Sequence, residues 1–325
     1  MRAPGFWNHK GLLSTLLLPL SWVYSAAASI RESHAPAFKA SVPVICIGNL
    51  TAGGAGKTPV ALAIGDKCKK HGIPAYFLTR GYGGKLAGPV LVDPRTHRAS
   101  DVGDEPLMLA RVLPTVVARD RAAGARFAIE KGAAVLIMDD GLQNPSLLKD
   151  LSLLVIDGGS GLGNGRVMPA GPLREAASKG FARANGIIVV GSVKNNMPIF
   201  PRIPVLFAKV KPEQNMLEFR GKPMVAFCGI AKPEKFFSML EESGVTLSER
   251  ISFDDHHPYA HDEIRMLKSK GLPLVTTAKD AVRLPPDFRP EVAVIDISLE
   301  FENEALLDTL LSKAFSSYAP VKKPS

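Results

Sequence analysis

The residues best suited to chemistry are Thr51, Ala52, Gly53, Gly54, Ala55, Gly56, Lys57 and Thr58, a glycine-rich turn ending in a cation and a hydroxyl. Amides freed of side chains can close around phosphate oxygens at the positive N-terminus of a following helix. In that setting Lys57 reaches the β- and γ-phosphates of a nucleotide and the Thr58 hydroxyl sits on magnesium. Thr51 stands where the P-loop pattern has its first glycine. An ordinary glycine turn would account for the glycines, but not for Lys57-Thr58 at the mouth of a helix.

A second group is Asp139-Asp140, which ends the apolar run 133–138. A buried strand running into carboxylates is how P-loop proteins hold magnesium, so the pair reinforces the phosphate reading. Other polar residues have plainer explanations. Asp104 fits a helix N-cap, with Glu105 and Pro106 in the first turn. Arg119 and Arg121 follow a strand end, where arginine can clamp phosphate but is more often surface charge. Residues 254–259, Asp-Asp-His-His-Pro-Tyr, have metal-ligand types without helical ligand spacing, and an exposed polar loop accounts for them. Thr277-Ala278-Lys279-Asp280 has the wrong order for a guanine-reading motif.

These groups need elements to position them. Residues 42–47, 75–79, 115–118, 133–138, 151–157 and 187–190 are short apolar runs, as expected of strands buried on both faces of a parallel sheet. The loop at 80–84 follows a strand end, where ligands gather in open α/β sheets. Residues 163–175 are rich in Gly and Pro but too apolar for a flexible linker, so they read as a structured, functional loop. Strands at 205–210 and 216–219 around 211–215 predict a hairpin at the domain boundary. Further strands at 224–228, 274–277 and 292–295 make the second half α/β as well.

Residues 11–30 carry no charge and lie between Lys10 and Arg31. Twenty residues are just enough to span a bilayer. Leu12, Leu13, Leu16, Leu17, Leu20, Val23, Tyr24 and Ala27 fall on one helical stripe, and Ser14, Thr15, Ser21, Ser25 and Ser29 lie mostly opposite. That layout, with Pro19 in mid-segment and Phe6, Trp7 and Trp22 nearby, favours a helix lying in an interface over a span. Two readings compete: a cleaved signal peptide, which would strand a nucleotide site where there is no ATP, and a terminal helix packed on its own protein.

The length of 325 residues suggests two domains. An excess of 40 Lys and Arg over 31 Asp and Glu suits phosphate-rich substrates or an anionic membrane. A nucleic-acid module is disfavoured, because basic and aromatic residues do not interleave. Cys46, Cys68 and Cys228 are odd in number and far apart, which argues for a reducing compartment and against disulfides.

Together these stretches resemble the tetraacyldisaccharide 4'-kinase family of lipid A biosynthesis. The resemblance rests on residues 48–59, 79–83, 103–106, 139–143, 163–175, 227–230, 255–259 and 277–284, in the family's order over nearly the whole chain. It implies an α/β protein: a P-loop NTPase-like parallel-sheet lobe (33–204), a hairpin linker (205–220) and a smaller α/β lobe (221–325), preceded by an amphipathic membrane-associated helix (1–32). It implies transfer of the γ-phosphate of ATP, with Mg2+, to the 4'-hydroxyl of a lipid disaccharide 1-phosphate, giving lipid IVA at the cytoplasmic face of the bacterial inner membrane. Carried over by position, Asp104 is the base and His256 its partner across the cleft. Asp139 and Asp140 are the metal and active-site carboxylates. Glu105, Arg119, Gln143, Arg174 and Glu175 support them. Leu142 and Asn144 depart from the family's usual phenylalanine and histidine. No nucleic acid or obligate protein partner is implied. The reading from another class is a membrane-associated nucleotide switch that hydrolyses ATP without phosphorylating lipid.

Overall fold

The computed structural model describes residues 4–33, 37–193, 197, 200, 202–212 and 214–316. The first eight strands are β1 (Val44–Gly48), β2 (Ala75–Thr79), β3 (Val90–Leu91), β4 (Thr115–Val117), β5 (Val135–Asp139), β6 (Leu151–Asp157), β7 (Gly186–Val190) and β8 (Val205–Pro212). Five follow: β9 (Pro223–Cys228), β10 (Thr246–Ser252), β11 (Leu274–Thr277), β12 (Val292–Ile295) and β13 (Ile297–Phe301). The first helices are α1 (Leu12–Leu16), α2 (Leu18–Ser33), α3 (Lys57–Lys70), α4 (Ala99–Val102), α5 (Asp104–Leu109) and α6 (Arg121–Glu130). The rest are α7 (Ala177–Ala182), α8 (Pro233–Glu242), α9 (His261–Lys268), α10 (Ala278–Ala281) and α11 (Glu304–Ser316).

Nine strands form one sheet in the order β13-β8-β7-β6-β1-β5-β2-β4-β3, parallel except for its two edge pairs. Successive side chains point to opposite faces, and here both faces are covered. Ile45, Ile47, Phe77, Ile137 and Leu153 pack under Val60 and Ile64 of α3 and Leu307 and Leu310 of α11. Val44, Cys46, Leu78, Leu136 and Met138 pack on the other face with Ala125 and Ala128 of α6. That double burial is why the strands read as unbroken apolar runs. β1 lies between β5 and β6, so the loops leaving β1, β5 and β6 open together at one edge, where such sheets bind ligands.

Among the described residues, the hairpin expected over 205–220 is not formed. After β8 the chain makes a 3-10 turn, Gln214–Phe219, and Met216 goes into the core of the second lobe. The antiparallel partner of β8 is β13, with Ile297 opposite Pro212 and Phe301 opposite Ala208. Phe301 and the apolar face of α11 complete the core beneath α3. The chain therefore leaves the first lobe through β8 and returns through β13, and residues 297–316 belong with the large sheet rather than with a lobe running to 325. Between them the smaller parallel sheet, β10-β9-β11-β12, has its own two-sided core around Phe236 and Phe237 on one face and Phe227 and Leu267 on the other.

The N-terminal segment breaks after Leu16, and α2 restarts with Pro19 in its first turn, where a missing N–H costs nothing. Its polar face is the one turned inward. Ser14 Oγ donates to Ala170 O (2.6 Å), Ser21 Oγ donates to Val167 O (2.7 Å), and Arg166 Nη1 donates to Ser14 Oγ (2.9 Å). Leu12, Leu13, Leu16, Leu20, Trp22, Val23 and Ile30 are all more than half exposed. No helix among the described residues is long and apolar enough to cross a membrane.

Candidate active site

The glycine turn joins β1 to α3, as its sequence requires. Gly53 (φ 108°) and Gly56 (φ 87°) occupy the left-handed region, and a Cβ on Gly56 would also lie 3.3 Å from Val190 Cγ1. Lys57 opens α3. Its Nζ donates to Asn49 Oδ1 (3.2 Å) and lies 3.6 Å from Asp140 Oδ1. Thr58 Oγ1 donates to Asp139 Oδ2 (3.2 Å), tying the phosphate turn to the end of β5.

Asp139 is buried, and its Oδ1 has no hydrogen-bond partner among the described residues. Burial and the nearby charge of Glu105 push its carboxyl well above the usual carboxylate range. A crowded carboxylate with an orphaned oxygen beside a hydroxyl fits a divalent cation. Among the described residues no three His, Cys, Asp or Glu side chains converge on a metal. Mg2+ does not need such a cage, because it keeps waters and shares substrate phosphates. Asp140 has a left-handed backbone (φ 55°), rare for a non-glycine residue, which turns its carboxylate towards Lys57 and Arg174. Arg174 Nη1 bridges both Asp140 oxygens at 2.9 and 3.0 Å. Burial raises the Asp140 carboxyl, but the charges of Lys57 and Arg174 outweigh it and hold the group below the ordinary value.

Arg174 is delivered by the Gly/Pro-rich loop, which is strapped along the phosphate turn. Ala52 N donates to Pro172 O (2.8 Å), and Arg174 N donates to Leu50 O (2.7 Å). The next residue, Glu175, is buried. It accepts from Gln143 Nε2 (2.9 Å) and from Arg183, while Gln143 also donates to Asn49 O (2.9 Å). The other end of the loop holds the N-terminal helices: Asn164 Nδ2 donates to Ser14 Oγ (2.9 Å), and Trp7 Nε1 donates to Pro169 O (3.1 Å).

Asp104 is the first residue of α5 rather than its N-cap, which is Gly103 (φ 93°). A Cβ on Gly103 would lie 2.5 Å from Tyr82 O, so the glycine permits the 80–84 loop to sit against it. Asp104 Oδ1 accepts from Glu105 N (3.0 Å). Oδ2 faces the second lobe, 2.9 Å from His256 Nδ1 and 3.6 Å from Arg283 Nε. Burial raises this carboxyl, but the His256 hydrogen bond and the charges of Lys279 and Arg283 prevail and hold it below the usual range. The 254–259 segment is therefore not simply an exposed polar loop: His256 takes a left-handed backbone (φ 60°) to reach across, and Tyr259 is buried with its hydroxyl on Asp280 (2.6 Å).

The structure thus gathers Lys57, Thr58, Asp139, Asp140, Gln143, Arg174 and Glu175 around one edge, and joins Asp104 to His256 between the lobes. Arg119 is not brought to the carboxylates. It is exposed, and its guanidinium lies 3.5 Å from the carbonyls of Gly84 and Lys85. Asn144 accepts from Ser146 N (3.1 Å) and Ser146 Oγ (2.9 Å), and Leu142 is a core residue. Asn49 meets Lys57, Lys279 meets His256 and Arg283 lies beside Asp104, although none of the three stood out by residue type. Asn49 lies next to the glycine turn; Lys279 and Arg283 fall in the 277–284 stretch that carries the family resemblance, but nothing in their types or spacing places them beside Asp104 and His256.

The sequence model of the tetraacyldisaccharide-1-P 4'-kinase family matches residues 13–316. A tetraacyldisaccharide 4'-kinase from Rhodospirillum rubrum is 48% identical, over 96% of this chain and 98% of that protein. One from Rhodospirillum centenum is 46% identical, over 97% of each. Among solved structures, LpxK from Aquifex aeolicus in complex with ATP superposes with a TM-score of 0.77 at 27% identity, covering 94% of this chain and 100% of that one. With matches of this extent, the chain belongs to the tetraacyldisaccharide 4'-kinase family.

Proposed function

We propose that the protein is an ATP-dependent kinase that phosphorylates the 4'-hydroxyl of tetraacyldisaccharide 1-phosphate, forming lipid IVA. The observation that carries this reading is Asp104. It is a buried carboxylate paired with His256 from the opposite lobe, on the same open edge as a complete phosphate turn. A nucleotide switch needs the turn and Asp139, but has no use for an acceptor-side carboxylate held between lobes.

The loop amides and Lys57 hold the triphosphate, and Arg174 with Asp140 fixes the position of Lys57. Thr58 Oγ1 and Asp139 would hold Mg2+, which when bound neutralises charge on the β- and γ-phosphoryl oxygens. The acceptor oxygen forms its bond to the γ-phosphorus as the bond to the ADP oxygen breaks, and the hydroxyl proton passes to Asp104. Since a carboxylate below the usual range is a weak base, most of the acceleration comes from positioning and electrostatics rather than proton abstraction. Incubation with γ-labelled ATP and tetraacyldisaccharide 1-phosphate tests the reading: label enters lipid in proportion to protein, and label found only in free phosphate would reject it in favour of the switch.

The same reading puts the protein on the cytoplasmic face of the inner membrane, where ATP and the lipid meet. Supporting it is the outward apolar face of α1 and α2, a layout suited to lying in the lipid interface. Removal of residues 1–30 is expected to shift the protein from the vesicle pellet to the supernatant, and unchanged sedimentation would dismiss the helices as the main anchor.

A further inference from the structure

The second lobe contributes a cation to the Asp104–His256 pair. Lys279, in α10, has its Nζ 3.2 Å from His256 Nε2 and 3.4 Å from Asp255 Oδ1. It is aimed there by a buried hub. Asp280 accepts from Gly229 N (2.7 Å), Tyr259 OH (2.6 Å) and Arg283 Nη2 (3.0 Å), while Thr277 Oγ1 caps α10 by accepting from Asp280 N (3.1 Å).

An ammonium has three donors and no acceptor. Its contact with Nε2 is a hydrogen bond only if that nitrogen carries a lone pair. The ring proton is then on Nδ1, where it donates to Asp104 Oδ2 at 2.9 Å. A single neutral tautomer, assigned from this network, satisfies both contacts, whereas an imidazolium would put an N–H against the ammonium. The charged and titratable groups facing the ring are Asp104 from α5, Lys279 from α10, Asp255 beside it with Oδ1 3.8 Å from Nε2, and Tyr82 with ring centres 5.8 Å apart; Arg283 stands behind Asp104.

We infer that Lys279 is a positioning residue that holds His256 neutral and protonated on Nδ1, making His256 a fixed donor to Asp104 rather than the acceptor of the substrate proton. This rests on Asp104 and His256 forming the acceptor side of the kinase site. It explains why a lysine from the second lobe is turned towards a histidine: without it, Asp104 would draw a second proton onto the ring, and Asp104 would be locked in an ion pair.

The experiment uses the full chain with 15N-labelled histidine, His256 being assigned by its loss in His256→Gln. The expected wild-type signature at pH 7 is pyrrole-type Nδ1 and pyridine-type Nε2. In Lys279→Met both nitrogens become pyrrole-type, and kcat falls about tenfold with the KM for ATP within about twofold, recovering as pH rises. Lys279→Arg, which keeps the donor, retains the wild-type signature and stays within about threefold of its kcat. A protonated Nε2 in the wild type, or a loss in Lys279→Met that is equal at every pH with the tautomer unchanged, would overturn the inference. Failure of the underlying reading looks different: Asp104→Asn would turn over lipid normally while the wild-type ring signature stayed as stated.

Discussion

Asp157 ends β6 beside the phosphate turn, and besides Asp104 it is a second point where the first lobe grips the second. Its carboxylate takes Lys232 (3.1 Å) and Lys235, at the start of α8, and Lys232 also donates to Ser160 Oγ (3.0 Å). The same segment brings Ala231 over the turn, so that a Cβ on Gly54 would lie 3.8 Å from Ala231 Cβ. Asp157→Asn is an informative perturbation because Oδ1 can still accept from Gly159 N (3.1 Å) and Ser160 N (2.9 Å), leaving the turn intact, while the charge is removed and an amide donor replaces the oxygen that accepts from Lys235. Burial raises the Asp157 carboxyl, but the two lysines outweigh it and hold it down from 3.8 to about 2. At about 1.4 kcal/mol per unit, that difference is worth at most about 2.5 kcal/mol. The lysine side chains are 37% and 54% exposed, so water screens much of it. A loss of about 1 kcal/mol is the working figure. The sign follows from linkage: a depressed native value contributes fully above the unfolded carboxylate value near 4 and fades as pH falls towards about 2. Guanidinium unfolding should therefore give a wild-type advantage that is constant from about pH 5 to 8 and shrinks below about pH 4. If closure over the turn depends on this grip, the KM for ATP rises up to about fivefold. A gap below about 0.3 kcal/mol at pH 7, or one that widens in acid, would refute the argument.

Asp104→Asn should cut lipid phosphorylation by about 10²-fold or more with ATP binding largely kept, read by single-turnover transfer beside equilibrium nucleotide titration. Gly103→Ala places a Cβ 2.5 Å from Tyr82 O on a φ of 93°. It should cost about 1–3 kcal/mol in chemical unfolding and lower kcat by displacing Asp104; wild-type stability would contradict the close approach. Replacing exposed Leu12, Leu16 and Leu20 by serine should leave the melting temperature within about 2 °C, since none is in the core, while weakening vesicle binding at least tenfold. Equal binding by the triple variant would count against the helical face as the lipid contact.

Much of the site was already written locally in the chain. The phosphate turn, Lys57-Thr58 and the β5 carboxylates are contiguous patterns whose geometry follows from glycine φ freedom, a helix N-terminus and a strand buried on both faces. The two α/β lobes follow from the same apolar runs. Residue type and local spacing could not identify the pairing of β8 with β13, because strand partners that far apart are chosen by which edge remains open and which core remains uncovered. They also could not orient α1 and α2, whose serines turn inward only because the carbonyls of Val167 and Ala170 wait there. His256 is assigned to Asp104 by resemblance; Lys279 meets His256 within the second lobe, and the approach of His256 and Arg283 to Asp104 appears only once the lobes are apposed. The sequence alone determined the glycine turn and the β5 carboxylates proposed to hold phosphate and metal, since backbone conformation builds them within a few residues. The tertiary structure decided the acceptor side, since long-range packing brings its charges together from opposite lobes.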